Sequence, residues 1–315
     1  MRLNYRIGYG FICLLALIGG CGKAETKKTT LTLDWKPEPE FGGFYAAQSG
    51  GAFTHHGIDI DLKPAGEGSL WKLVASGNTD FATTSADQVL LARTQGGDVI
   101  AVFAVYQTCQ LGIMTHGSRG FKSFKDVLSS EGKLLAEPLP YMDFLQKNFG
   151  PIKVTIMPDN PGIQVFLSDK NVSQQCFLTS EPILARQQHG DPQTFLVADS
   201  GFNPYTTVLI CKGETWRKDP QKVKDMVAAC REGGRAYLDK PDAANAQMGQ
   251  LNKDMDAQTF TEAAEAQKPL IETEESKKNG LGTMTAERWS VLGKQLVDLK
   301  VIDNAPKAED CFVNP

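Results

Sequence analysis

The sequence predicts an α/β protein of two Rossmann-like lobes joined by two connecting strands. Three observations carry the prediction. Short apolar strands alternate with helix-patterned stretches between residues 31 and 211, which is the pattern of βαβ units. A smaller α/β unit, 109–205, is nested inside a larger one made of 31–108 and 206–315. Because the chain crosses between the units twice, the first lobe is discontinuous, the layout of a hinge protein that closes around a ligand.

The opening stretch organises the rest. Leu31, Leu33 and Trp35 alternate as a first strand over 31–35, which breaks at Pro37 and Pro39 and turns through Gly42-Gly43 into a helix over 43–50. Such a junction sets a loop and a helix start at the carboxyl edge of a sheet, where open α/β folds bind small ligands. Gly57 to Leu62 alternates as a second strand, and Ser69 caps a helix through Trp71 and Val74 to Gly77. A short strand, 80–83, leads to a helix from Ala86 to Thr94. The continuous apolar run Val99 to Val105 suits a strand buried on both faces of a parallel sheet.

In the second unit, strands are expected at 111–114, 133–136, 153–157, 175–178 and 194–198. Helices are expected at 141–148, 162–167 and 182–188. A strand over 206–211 returns to the first unit. Helices then fill 220–238, 241–251, 256–268 and 285–299.

Composition excludes several classes. At 315 residues, 41% hydrophobic and 22% charged, the chain is globular rather than disordered. The net charge of −4, without a basic run, excludes a nucleic-acid partner. Arg2 and Arg6 precede a short apolar core, Phe11 to Ile18, and then Gly19-Gly20-Cys21. That order reads as a signal peptide over 1–20 with Cys21 as a lipidated lipoprotein cysteine, followed by a polar tether over 21–30. The alternative is a plain secretory signal. Five cysteines remain, Cys109, Cys176, Cys211, Cys230 and Cys311, in a compartment that permits disulfides. Their odd number leaves at least one unpaired in a single chain. Buried thiols, with one bridge at most, are the expectation.

Candidate ligand contacts follow from the strand ends. Trp35 offers a flat face for stacking on a planar ring; the alternative is a core tryptophan. Tyr45 lies one helical turn past Gly42 and fits core packing better than ligand contact. Thr83, Thr84 and Ser85 sit where a strand meets a helix, so they serve as caps, ligand contacts or both. Tyr106 and Gln107 end a buried strand beside the crossing, and Tyr141 is a second stacking candidate. Glu181 lies between a strand and a helix. It accepts hydrogen bonds from an amino-substituted heterocycle or serves only as a helix-dipole partner. The four histidines, His55, His56, His116 and His189, show neither HxH nor HExxH spacing, so no metal site is expected. No nucleophile elbow, SxxK motif or Walker-type loop is present.

Asp34-Trp35-x-Pro37, Gly42/Gly43-x-Tyr45-x-Ala47, Phe53 and Gly57-Ile58-x-Ile60 together resemble the opening of periplasmic substrate-binding proteins for thiamine pyrimidine precursors. Nitrate, sulfonate and taurine binders are more distant cousins of that family. The resemblance continues through Gly77-x-x-Asp80-Phe81-Ala82, Asp87-x-x-Leu90-x-Ala92-Arg93-x-x-Gly96, the strand Ala101 to Gln107, and Lys122-Ser123-x-Lys125-Asp126-Val127. It covers about residues 31–130 well and the rest loosely.

The resemblance implies a type II periplasmic binding protein fold serving an ABC importer. Related eukaryotic pyrimidine synthases carry a reactive histidine where Phe41 stands here, and an Asn where Glu38 stands, so synthase chemistry is not expected. Where the family has a Gly/Ser/Thr-rich loop in the second lobe, this chain has Glu137-Pro138-Leu139-Pro140, which disfavours an anionic ligand.

The reading is a monomeric, membrane-tethered solute receptor without a cofactor. It binds a small planar nitrogenous ligand between its lobes and delivers it to an ABC permease and its ATPase. Rivals are a receptor for a sulfonate, nitrate or riboflavin-type ligand, a sensor domain that binds without transport, and a pyrimidine-forming enzyme.

Overall fold

The computed structural model describes residues 28–64, 68–159 and 162–315. The expected leader, Cys21, most of the tether and part of the loop before Ser69 lie outside them. Among the described residues, no helix is long and apolar enough to cross a membrane.

The chain first lays down β1 (Thr29–Thr32), a 3-10 turn (Pro39–Phe41), α1 (Gly42–Ser49), α2 (Ala52–His55), β2 (Ile60–Lys63), α3 (Leu70–Ser76), β3 (Phe81–Thr84), α4 (Ala86–Thr94) and β4 (Val99–Ala104). It then crosses into β5 (Leu111–His116), α5 (Phe124–Ser129), β6 (Lys133–Leu135), α6 (Pro140–Phe149), β7 (Thr155–Met157), α7 (Gln164–Ser168), β8 (Val172–Phe177), α8 (Glu181–Gln187) and β9 (Pro192–Leu196). It returns through β10 (Val208–Lys212), followed by α9 (Gly213–Lys218), α10 (Pro220–Asp239), α11 (Asp242–Leu251), α12 (Ala257–Ile271), α13 (Glu274–Asn279) and α14 (Ala286–Asp298).

Two five-stranded sheets result, in the orders β2-β1-β3-β10-β4 and β7-β6-β8-β5-β9. β1 pairs in parallel with β2 and β3, while β10 runs antiparallel between β3 and β4. The second sheet repeats the plan: β6 pairs in parallel with β7 and β8, and β5 runs antiparallel between β8 and β9. Each sheet thus receives one antiparallel strand immediately after a crossing.

Three local readings change. β1 starts two residues earlier than expected and ends at Thr32. The Leu33 amide still donates to Lys63 (2.8 Å), but the Asp34 amide turns aside to the Thr83 hydroxyl (2.8 Å), which takes the chain off the ladder. The apolar run of β4 lies in an outer position and pairs antiparallel with β10, not inside a parallel sheet. It is buried nonetheless, because the C-terminal segment covers its free edge: the Ala101 amide donates to Cys311, and the Val313 amide donates to Ala101, both at 2.9 Å. All five cysteines are buried and free. Loss of hydration pushes the Cys109, Cys211 and Cys311 thiols up to about 12.

One cationic side chain gathers the two crossings. Arg288 of α14 donates to the Gln107 carbonyl (2.6 Å) and the Asn203 carbonyl (2.9 Å), and its guanidinium lies 3.7 Å from the Tyr205 ring centre. The Cys109 amide donates to Asn203 Oδ1 at 2.8 Å. The outgoing and returning segments are therefore bonded to each other and to α14.

Glycines let α1 approach α10. A Cβ on Gly42 would fall 2.1 Å from the Tyr237 ring, and one on Gly233 would fall 2.3 Å from the Gly43 carbonyl and 2.4 Å from Ala47. This contact sets the angle at which α1 leaves the loop that follows β1. Gly233→Ala is expected to destabilise the protein by about 1–3 kcal/mol, because backbone on both sides leaves no room for the methyl. Chemical denaturation checks it; an unchanged midpoint would contradict the packing described.

Candidate ligand cleft

The loop 33–41 leaves the carboxyl end of β1 and carries three carboxylates, Asp34, Glu38 and Glu40, with Lys36 as its one cation. Lys36 is taken by Asp254. Each carboxylate is held by specific donors. Thr83, at the carboxyl end of β3, donates its hydroxyl to Asp34 Oδ1 (2.5 Å). Gln110, on the outgoing crossing, donates to Glu40 Oε2 (2.8 Å). The Trp35 and Asn252 side chains lie close enough to Glu38 to lower its carboxyl against the effect of burial. Asn252 also donates to the Pro37 carbonyl (3.1 Å), which pins the loop to the segment after α11.

The second lobe supplies the loop between β8 and α8. Glu181 opens α8 and accepts from the Phe177 amide at 2.7 Å. Thr179 donates to Gln110 Oε1 (2.9 Å), so one glutamine links Glu40 in the first lobe to the loop that carries Glu181 in the second. Farther along α8, Gln187 Oε1 accepts from the Thr259 hydroxyl of α12 at 3.0 Å, a second direct bond between lobes.

Burial raises all four carboxyls. Loss of hydration is the largest cause in each case. Asp34 and Glu38 add repulsion at Glu40, which is pushed well above the usual range; Glu38 adds it at Glu181, which reaches about 7. Among the described residues, none of the four is in a salt bridge. Two large apolar side chains stand exposed beside them, Trp35 (56%) and Phe177 (37%). An exposed aromatic face next to unpaired, half-buried carboxylates is equipped to hold a flat apolar ring that carries N–H donors or positive charge.

Of the residues read from the sequence, Trp35 lies on the loop after β1, Thr83 bonds Asp34 of that loop, and Glu181 opens α8 in the second lobe. Tyr106 lies beneath it, fully buried, donating to Gln267 (2.8 Å), which in turn donates to the Pro39 carbonyl (3.0 Å) and so braces the loop. Thr84 is buried and pairs with Val208 of β10. Ser85 occupies the N-cap of α4 without a side-chain cap bond. Tyr141 is buried behind β8 and donates to Gln175 (2.7 Å), which also accepts the Glu137 amide.

Tyr45 and Gln107 point elsewhere. Tyr45 packs in the first lobe's core, where burial pushes its phenol up to about 12. Gln107 donates to the Thr283 carbonyl (3.0 Å) in the C-terminal region. Phe41 is fully buried in that same core. Sequence reasoning did not single out Asp34, Glu38, Glu40, Gln110, Thr179 or Phe177 as site residues. The usable signal was three carboxylates within seven residues of a loop with one cation.

Comparison with known proteins places the chain. It is 25% identical over 236 residues to the 4-amino-5-hydroxymethyl-2-methylpyrimidine phosphate synthase THI11 of Saccharomyces cerevisiae, covering 69% of each chain. It is 22% identical to the formylaminopyrimidine-binding protein of Halalkalibacterium halodurans, covering 89% of this chain and 88% of the relative. Its fold superposes on the periplasmic aliphatic sulphonate binding protein SsuA of Escherichia coli with a TM-score of 0.69 at 11% identity, covering 91% and 92% of the two chains. The architecture is the periplasmic binding protein fold. The family profile described as NMT1/THI5 like matches residues 38–244, well over half the sequence, and the chain belongs to that family.

Proposed function

We propose that the protein is the extracytoplasmic receptor of an ABC importer and captures a small planar nitrogenous heterocycle of the aminopyrimidine class between its lobes. One observation carries this reading: Asp34, Glu38 and Glu40, none of them in a salt bridge among the described residues, share one short loop with the exposed Trp35 ring, and the charge of Glu38 is felt at Glu181 of the second lobe. An aminopyrimidine offers a flat face to the indole and N–H donors to the carboxylates. A sulfonate or nitrate would add negative charge to a site already rich in it.

The mechanism is closure, with no bond made or broken. Contacts from both lobes favour the closed state, and the permease recognises that state. The names of relatives support both the class and its alternative. The Halalkalibacterium halodurans relative is named a formylaminopyrimidine-binding protein, whereas the yeast relatives are named synthases. The buried Phe41 argues against synthase chemistry here. The proposed leader and Cys21 anchor would hold the receptor at the outer face of a membrane, beside the permease.

Calorimetric titration tests the contacts. Trp35→Ala is expected to weaken binding of an aminopyrimidine about tenfold or more, since a stacked ring loses its apolar face and its aromatic pairing. Unchanged affinity in Trp35→Ala would remove the stacking contact from the account.

The pH dependence has a defined sign. A carboxyl raised to about 7 means that the folded, ligand-free protein holds more protons than the unfolded chain between the ordinary carboxyl range and about pH 7. Stability of the empty receptor is therefore expected to fall as pH rises through that window. Ligand N–H donors favour the ionised Glu181, so affinity is expected to rise with pH up to about 7 and then level, with proton release on binding. Glu181→Gln should flatten this profile. A flat profile in the unmodified protein would contradict the assigned role of Glu181.

A further inference from the structure

A cluster of metal-ligating side chains lies at the opposite edge of the first sheet from the cleft. α1 runs back from the ligand loop toward the amino edge, and β2 starts there in register with the start of β1, Ile60 beside Thr29. Between them, His55 ends α2 and His56 follows it. Both imidazoles reach one oxygen of Glu232 on α10: His55 Nδ1 and His56 Nε2 each lie 3.1 Å from Glu232 Oε2. The three donor atoms lie within 4.8 Å of one another.

We propose that His55, His56 and Glu232 form a site for a first-row divalent transition metal ion, of the Zn²⁺, Ni²⁺ or Cu²⁺ class, independent of the ligand cleft. Two imidazole nitrogens and one carboxylate oxygen are a donor set that these ions favour over Mg²⁺ or Ca²⁺. Bonds of about 2.0–2.1 Å in a tetrahedron place neighbouring donors about 3.4 Å apart, close to the two 3.1 Å separations seen here. The ion would take the place of the two ring protons that now face the carboxylate.

The backbone beneath the site is fixed while its tips are free. The His56 amide donates to Ala52 (3.0 Å) and the Ile58 amide to Phe53 (2.8 Å), and Phe53 is buried in the core. Glu232 precedes Gly233, whose close contact with Gly43 and Ala47 sets α10 against α1. The side chains themselves are open, with His55 72% and Glu232 45% exposed, so water completes the coordination. The spacing rules applied to the sequence miss this site because its third ligand lies 176 residues from His56.

Calorimetric titration of the chelator-treated protein with Zn²⁺ tests the site. The expected result is saturable uptake of one ion per chain, lost in the His55→Ala/His56→Ala double variant and weakened about tenfold or more in Glu232→Gln. The thermal midpoint of the unmodified protein should rise with Zn²⁺, while the metal-free variants keep the unmodified protein's own metal-free midpoint. Two results would overturn the proposal: no saturable uptake, or uptake undiminished in the double variant, which would move the ion to the cleft carboxylates.

Discussion

Negative charge withdrawn from water is the constraint to which the cleft is built. Asp34, Glu38 and Glu40 share one short loop, and Glu181 reaches toward them from the other lobe. The one cation of that loop, Lys36, is paired with Asp254. Such groups are tolerated by protonation, by hydrogen bonds or by a positive partner. The structure supplies hydrogen bonds from Thr83, Gln110 and the Phe177 amide, and these offset only part of the cost, since the carboxyls stay raised. A ligand rich in N–H donors would supply the remainder, which is why the chemistry of the loop bears on the ligand more directly than the fold does.

In the proposed receptor the same side chains would connect recognition to closure. Gln110 sits on the outgoing crossing and bonds both Glu40 and Thr179, so a ligand that draws on Glu40 is coupled to the loop that carries Glu181. Behind it, Arg288 joins both crossings to α14. The chain passes between the two sheets only in the segments between β4 and β5 and between β9 and β10, and the Gln187 to Thr259 bond joins α8 to α12 across them. Uncompensated carboxylates on both sides would oppose approach of the lobes until a donor-rich ligand lies between them.

Much of the architecture was legible because it rests on local pattern. α4 runs from Ala86 to Thr94 as read, bounded by Ser85 and the Gly96-Gly97 turn, and β4 and β10 stand out as apolar runs. Strand direction was not legible, since β4 owes its burial to Cys311 and Val313, more than two hundred residues away in sequence. α2, α9 and α13 are too short to show a helical period. The places of Trp35 and Glu181 in the loops that follow β1 and β8 were legible from the sequence. Glu38 was noticed only as a departure from a family pattern. Its role emerges from three-dimensional proximity to Trp35, Asn252 and Glu181, which no spacing rule encodes. Tyr45 and Gln107 failed to reach the cleft because the α1–α10 contact and the Thr283 carbonyl claim them first.

The central claim is that the cleft selects a donor-rich planar base over an anion. The most direct measurement compares thermal unfolding of the protein with an aminopyrimidine and with taurine or nitrate at equal concentration. A ligand that binds only the folded state raises the midpoint. The account predicts a rise with the aminopyrimidine and none with the anions. A rise with taurine or nitrate alone would contradict it and move the receptor to the anion-binding branch of the fold.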